Sequence, residues 1–162
     1  MTTISQAQEQ VLAFHLKQWV SETIQLGALP ALTDKEHECL LNISAVLTVF
    51  STMLEERFLH DQRMLRMHLA LEELTEFIIA ILNNDEQALL DSLADRLYVL
   101  LGDAATFDLP LAAAFDEVHK SNMTKERQKL DPSGERVRIK GPNYVPPDLR
   151  SILLVHRTMR KD

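Results

Sequence analysis

The sequence predicts an all-α protein: a helical bundle built around an antiparallel helix hairpin, completed by dimerisation, with an irregular C-terminal tail. Three observations predict it. Glycine is scarce, 4 in 162 residues, and β-branched runs are few. Apolar residues recur at helical spacing through the first 120 or so positions. Helix-start and helix-stop residues stand between those apolar runs. The bulk composition, 46% hydrophobic and 25% charged, is that of a globular chain, and the length suits one compact domain.

In chain order, Ser5-Gln-Ala-Gln8 has the form of a capping box and opens a first helix to about Leu26, where Gly27 is a natural stop. Val11, Phe14, Leu16 and Trp19 give this helix an imperfect apolar stripe, and Leu29-Pro30 belongs to a connector. Thr33-Asp-Lys-Glu36 is a second capping box. The helix after it carries Leu40, Ile43, Val46, Leu47 and Phe50 and ends near Glu55-Glu56. A third helix begins around His60-Asp61 and runs to about Leu82. Asn83-Asn84-Asp85 is a tight polar turn with good capping residues. A fourth helix covers Glu86 to about Phe107. Pro110 suits the first turn of a fifth, which ends near Ser121-Asn122.

Beyond Lys125 the chain holds four of the six prolines and two of the four glycines. It reads as an extended tail with Pro-Ser-Gly and Gly-Pro-Asn turns and room for a short β-pair around Arg136–Ile139. The expected division is therefore residues 1–58 as N-terminal helices, 59–128 as the helical core and 129–162 as tail, within one globular domain.

A net charge of −7 argues against a general DNA- or RNA-binding surface. The single Cys39 excludes an intrachain disulfide and reads as a small core residue on a helix. The start of the chain lacks a basic stretch followed by an apolar one, so no signal peptide is expected. No apolar run of roughly 20 residues stands out, so no membrane partner is expected. A cytoplasmic setting is the expectation.

Residues 72–76 read EELTE, inside an otherwise greasy stretch. At about 100° per residue, Leu69 and Phe77 fall on either side of Glu73, with Ala70, Leu74, Ala80 and Ile81 along the same arc. Glu73 thus lies within the stripe that should face a core, Glu76 at its edge and Glu72 further out. An unpaired buried carboxylate is strongly unfavourable, so it calls for a cation, a hydrogen-bond network or a shifted pKa.

On the next helix Asp91, Asp95, Tyr98 and Gly102 share one face, flanked by Ala88, Ala94 and Ala105, while Leu90, Leu93, Leu97, Leu100 and Leu101 form the opposite face. Small neighbours leave room for something other than protein. At about 1.5 Å per residue, Glu76 and Glu73 stand roughly 12 and 16 Å from the turn, and Asp91 and Asp95 roughly 9 and 15 Å from it. A close antiparallel hairpin puts these acids in one band, across the 8–10 Å gap typical of packed helices.

Glu73, Glu76, Asp91 and Asp95 offer oxygen donors with no His or Cys among them, which suits a hard cation such as Mg²⁺, with Mn²⁺ also fitting. A solvated acidic face, or a network with Arg63, Arg66 or Arg96, are the competing readings. After the fifth helix, Lys120, Asn122 and Lys125 offer charge and hydrogen-bonding groups for a phosphate-bearing ligand. The plainer reading is a helix end where Lys meets the dipole. His68 stands one turn before Glu72 and reads as a packing or surface residue. Glycine-rich phosphate loops, nucleophile elbows and Cys/His clusters are absent from the sequence.

EExxE on one helix and an acid pair on the next resemble the all-α nucleoside triphosphate pyrophosphohydrolases, the superfamily of MazG-like proteins, dimeric dUTPases and phosphoribosyl-ATP pyrophosphohydrolases. The resemblance is closest to the phosphoribosyl-ATP pyrophosphohydrolase-like branch. Three stretches carry it: LALEELTEF, DSLADRLYVLLGDAATFDLPLAAAFDEVHKSNMTK and KGPNYVPPDL, together about residues 67–149. The resemblance implies cleavage of a nucleotide between its α and β phosphates, giving a monophosphate and pyrophosphate.

Glu72, Glu73 and Glu76 match the first acidic motif of that superfamily, and Asp95 the final acid of the second. Asn122 and Lys125 match the stretch expected to meet the nucleotide. Where the superfamily often has E-x-x-D, this chain has Ser92, with Asp91 one residue earlier. On this reading Mg²⁺ is held by Glu73, Glu76, Asp91 and Asp95. Glu72 or Glu76 serves the attacking water. Asn122, Lys125, Lys120 and Tyr98 serve the nucleotide substrate, and the protein is a homodimer or homotetramer. The alternative is a non-catalytic nucleotide-binding or regulatory helical protein that kept the fold.

Overall fold

The computed structural model describes residues 3–18, 31–58, 60–126, 129–130, 136–137 and 140–160. The architecture is all-helical: α1 (Ile4–Gln18), α2 (Asp34–Phe58), α3 (Gln62–Leu82), α4 (Glu86–Thr106), α5 (Leu111–Met123) and α6 (Leu149–Met159). A minimal antiparallel pair, β1 (Lys129–Leu130) and β2 (Arg136–Val137), matches Lys129 with Val137. The chain forms two compact units, one of residues 27–108 and one of residues 1–26 with 109–162.

The first unit holds α2, α3 and α4. Thr33 starts α2 as its spacing predicts: Thr33 Oγ1 accepts from Glu36 N (3.3 Å) and Glu36 Oε2 accepts from Thr33 N (2.8 Å). Asp61 caps α3, accepting from Arg63 N, and hydrogen bonds from the Arg63 side chain and backbone hold its carboxyl far below the usual carboxylate range. Asp85 caps α4, accepting from Gln87 N and Ala88 N, both at 3.0 Å. Asn84 takes a left-handed φ of 50° in the turn before it, a conformation Asn tolerates better than most residues. This turn folds α4 back against α3. The central helix, α3, packs on both α2 and α4, so the unit is an open layer with α3 in the middle.

The buried apolar residues are Leu54, Ile78 and Ala80, and no large side chain is fully buried among the described residues. The side of α2 away from α3 is correspondingly bare: Ile43, Val46, Val49 and Phe50 are all exposed, Val49 at 67%. Contrary to the sequence expectation, α2 is long and apolar enough, by length and composition, to cross a membrane, with an 18-residue window of mean hydropathy 1.3. The same composition suits a helix covered by another protein surface. Cys39 is exposed rather than part of a core.

In the second unit α1 packs on α5, and α5 on α6. The α1 capping box is Thr3-x-x-Gln6, two residues ahead of the expected Ser5 box: Thr3 N donates to Gln6 Oε1 (2.8 Å) and Gln6 N to Thr3 Oγ1 (3.2 Å). The expected continuation to Leu26, with Trp19, the Gly27 stop and the Leu29-Pro30 connector, lies outside the described residues, as does the Pro-Ser-Gly turn.

The Gly-Pro-Asn turn is present, closed by Tyr144 N donating to Gly141 O (3.0 Å). The tail then docks on α5. Ser121 Oγ donates to Val145 O (2.7 Å), Val145 N to Thr124 Oγ1 (2.9 Å) and Asp148 N to Glu117 Oε1 (3.2 Å). The tail does not stay extended to its end. Asp148 caps α6 by accepting from Ser151 N (3.1 Å), and Leu149, Ile152 and Val155 follow at helical spacing.

Candidate active site

The acids of α3 and α4 come level because the Asn83–Asp85 turn is short and both flanking helices are regular. Glu73 is half-buried, and its Oε2 is out of contact with solvent and has no hydrogen-bond partner. Burial pushes the Glu73 carboxyl up. The charges of Glu76, Asp95, Glu72 and Asp91, in that order, push it the same way. The five carboxylates therefore share one electrostatic neighbourhood, with Glu73 at its least solvated point.

Glu72, Glu76, Asp91 and Asp95 are exposed. Among the described residues no three His, Cys, Asp or Glu side chains converge closely enough to hold a metal ion. A groove of about 420 Å³ between the helices is lined by Ala70, Glu73 and Leu74 on one side and by Leu93, Arg96 and Leu97 on the other.

The arginines that could have neutralised the cluster are engaged elsewhere. Arg63 pairs with Asp61 (2.5 Å), Arg66 with Asp103 (2.5 Å), and Arg96 lies over the Phe77 ring, 4.6 Å from its centroid. Among the described residues none of Glu73, Glu76, Asp91 and Asp95 makes an ion pair.

Not all the room expected on α4 is open. At Gly102 it is filled by the Arg66 guanidinium, which also donates to Val99 O; a Cβ there would stand 2.7 Å from Arg66 Nη2. Tyr98, one turn beyond Asp95, is 80% exposed. Ser92 is buried and donates to Leu89 O (3.0 Å), turned away from the acid face.

Lys120, Asn122 and Lys125 belong to the α1–α5–α6 unit. Lys125 Nζ donates to Asn122 Oδ1 (2.6 Å) and lies 5.8 Å from the Phe14 ring centroid, while Lys120 pairs with Glu117 (3.8 Å). Asn122 and Lys125 form a preformed polar pair, and Lys120 points to its own helix.

Sequence reasoning undervalued His68. It is buried on α3, with Nδ1 2.9 Å from Ser51 Oγ of α2 and Nε2 3.9 Å from Glu72 Oε2. Its i, i+4 relation to Glu72 was the available signal.

No curated protein and no solved structure matches this chain. A family model does: residues 51–122 match phosphoribosyl-ATP pyrophosphohydrolase. The match takes in the end of α2, all of α3 and α4, and α5 as far as Asn122, and so all five clustered acids. Over this segment the chain is similar to the phosphoribosyl-ATP pyrophosphohydrolase family, within the MazG-like all-α nucleoside triphosphate pyrophosphohydrolases.

Proposed function

We propose that this protein is a Mg²⁺-dependent nucleotide pyrophosphohydrolase. It cleaves a nucleoside triphosphate, or a phosphoribosyl-ATP-like nucleotide, between the α and β phosphates and releases a monophosphate and pyrophosphate. The observation that carries this reading is Glu73. It has a buried carboxylate oxygen without a donor, surrounded by four more carboxylates on the two helices that the family match spans. Such an arrangement disfavours the ionised carboxylate and favours a cation beside it.

The donor set fits a hard divalent ion: Glu73, Glu76, Asp91 and Asp95 supply oxygen only, and the buried Glu73 Oε2 has no hydrogen-bond partner. Mn²⁺ fits the same donors. When bound, the ion supplies charge compensation for the phosphate oxygens. The rest falls to the chain's own groups. Glu72 or Glu76, exposed beside Glu73, orients a water and takes its proton as the water oxygen attacks phosphorus. Asn122, Lys125, Lys120 and Tyr98 are the proposed substrate-binding residues, as the family resemblance and their polar groups suggest. The protein works as a homodimer or homotetramer, a reading supported by the bare apolar side of α2, and its proposed setting is the cytoplasm.

The test is pyrophosphate release from a panel of nucleoside triphosphates and phosphoribosyl-ATP, with Mg²⁺ and again with excess chelator. Release that stops on chelation is expected. Nucleotide binding without release from any of them would favour a non-catalytic binding protein, for which Ser92 in place of the usual motif Glu would be the reason.

A further inference from the structure

We infer that Ser121 and Thr124 are positioning residues for Asn122 and Lys125: they bind the backbone of the C-terminal tail and so fix the turn that carries the polar pair. The inference rests on the substrate-binding reading of that pair above and deepens it. Two side chains take up both backbone groups of one tail residue. Ser121 Oγ donates to Val145 O (2.7 Å), and Thr124 Oγ1 accepts from Val145 N (2.9 Å). The Thr124 hydroxyl proton goes to Ser121 O (2.7 Å), so donor and acceptor roles are all assigned. Ser121 is 5% exposed, whereas Val145 is 58% exposed. The tail is therefore held here by its backbone and not by burial of its side chain.

A third bond, from Asp148 N to Glu117 Oε1 (3.2 Å), continues the line. Glu117, Ser121 and Thr124 follow i, i+4, i+7 spacing, one stripe along α5 and its C-cap. Asn122 and Lys125 stand one residue further on, on the stripe that meets α1. Lys125 Nζ donates to Asn122 Oδ1 and lies near the Phe14 ring, Gln18 Nε2 donates to Lys125 O (3.5 Å), and Lys17 donates to Met123 O. Residues 121–125 are thus gripped by the tail on one stripe and by α1 on the next. The helix closes at Thr124 with φ −84°, without the left-handed glycine that ends many helices, so partners from outside the helix finish its last turn. A lysine that its ligand must first immobilise binds about 3- to 10-fold more weakly than one already held. Here the fold does the holding.

Thr124→Val removes the hydroxyl at nearly constant size, and Thr124→Ser keeps both of its bonds. The readout is calorimetric binding, with Mg²⁺, of the α,β-methylene analogues of the panel's nucleoside triphosphates, which resist cleavage at the scissile position. Thr124→Val should weaken binding about 3- to 10-fold, and Thr124→Ser should stay within about twofold of wild type. Val145→Pro removes the same N–H from the tail side and should match Thr124→Val. In a Lys125→Ala background, Thr124→Val should add less than about a twofold loss. Where turnover is followed, Thr124→Val should raise KM by the same factor with kcat within about twofold.

Equal losses in the Val and Ser variants would overturn the inference. So would a Thr124→Val loss that is as large without Lys125 as with it, which is what general loosening of the structure gives. Undiminished binding in Lys125→Ala would also overturn it, and wild-type protein that binds none of the analogues would overturn both this inference and the substrate-binding reading. The expected binding pattern without pyrophosphate release would count against the hydrolase reading alone.

Discussion

Glu73 keeps one carboxylate oxygen out of water with no donor to meet it. Its folded pKa is raised, by burial first and by its acidic neighbours second. The protonated form is therefore favoured by folding. The stabilisation is fully present below the ordinary carboxyl pKa and is lost as pH rises through the raised one. Glu73→Gln should accordingly raise the thermal midpoint of metal-free protein at pH 7, with the difference shrinking toward pH 4; a calorimetric series across that range checks it. The same variant should lose turnover by at least about 100-fold, the upper range for groups that merely support a metal ligand. In wild-type protein Mg²⁺ should raise the midpoint, and in Glu73→Gln it should do so far less. No response to Mg²⁺ in either would remove the metal from the proposal.

The elements owe their registry to a few short-range devices. Asp85 satisfies two free amides at the start of α4, so Asp85→Ala should cost about 1 kcal/mol in denaturant unfolding. Gly102 is less simple. Alanine in a helix interior is favoured over glycine by about 1 kcal/mol, yet a Cβ at Gly102 meets the guanidinium of Arg66. Displacing that group loses its bonds to Asp103 and Val99 O, at about 1–3 kcal/mol for bonds to a charged group. The two effects oppose each other in the native protein. Gly102→Ala should thus be neutral or destabilising there, and stabilising by about 1 kcal/mol in an Arg66→Ala background. A double-mutant cycle reads the coupling directly; simple additivity would show that the guanidinium does not hold α3 to α4.

For the molecule as a whole, the α2–α3–α4 layer is thinly covered. Among the described residues its buried apolar set is Leu54, Ile78 and Ala80, and an isolated layer of helices cannot hide both of its faces. Val46, Val49 and Phe50 form a stretch too apolar to stay in water unaided. Light scattering on purified protein should give a dimer or larger. Val49→Asp should shift that assembly toward monomer and lower its thermal midpoint, since charge is poorly tolerated at the centre of an interface. A monomer that is stable and soluble at micromolar concentration would contradict this. Association with lipid vesicles, tested by flotation, would instead make α2 a membrane element.

Much of this protein is legible in its residues. Helix existence followed from apolar spacing, the α2, α3 and α4 boundaries from Thr33, Asp61 and Asp85, and the acid band from arithmetic on rise per residue. These are local properties, set by backbone hydrogen bonding within a few positions. Other features depend on what lies across from a residue. Thr3 and Ser5 both fit a capping box, and the chain uses Thr3. Cys39 looks like core until no helix covers it. Gly102 looks like vacant space until Arg66 occupies it, and His68 looks incidental until Ser51 of another helix takes its ring. Sequence by itself determined which groups carry charge and at what helical height. Only the tertiary structure decided which of those charges lost their water and their partners, because desolvation is a property of neighbours brought together by the fold.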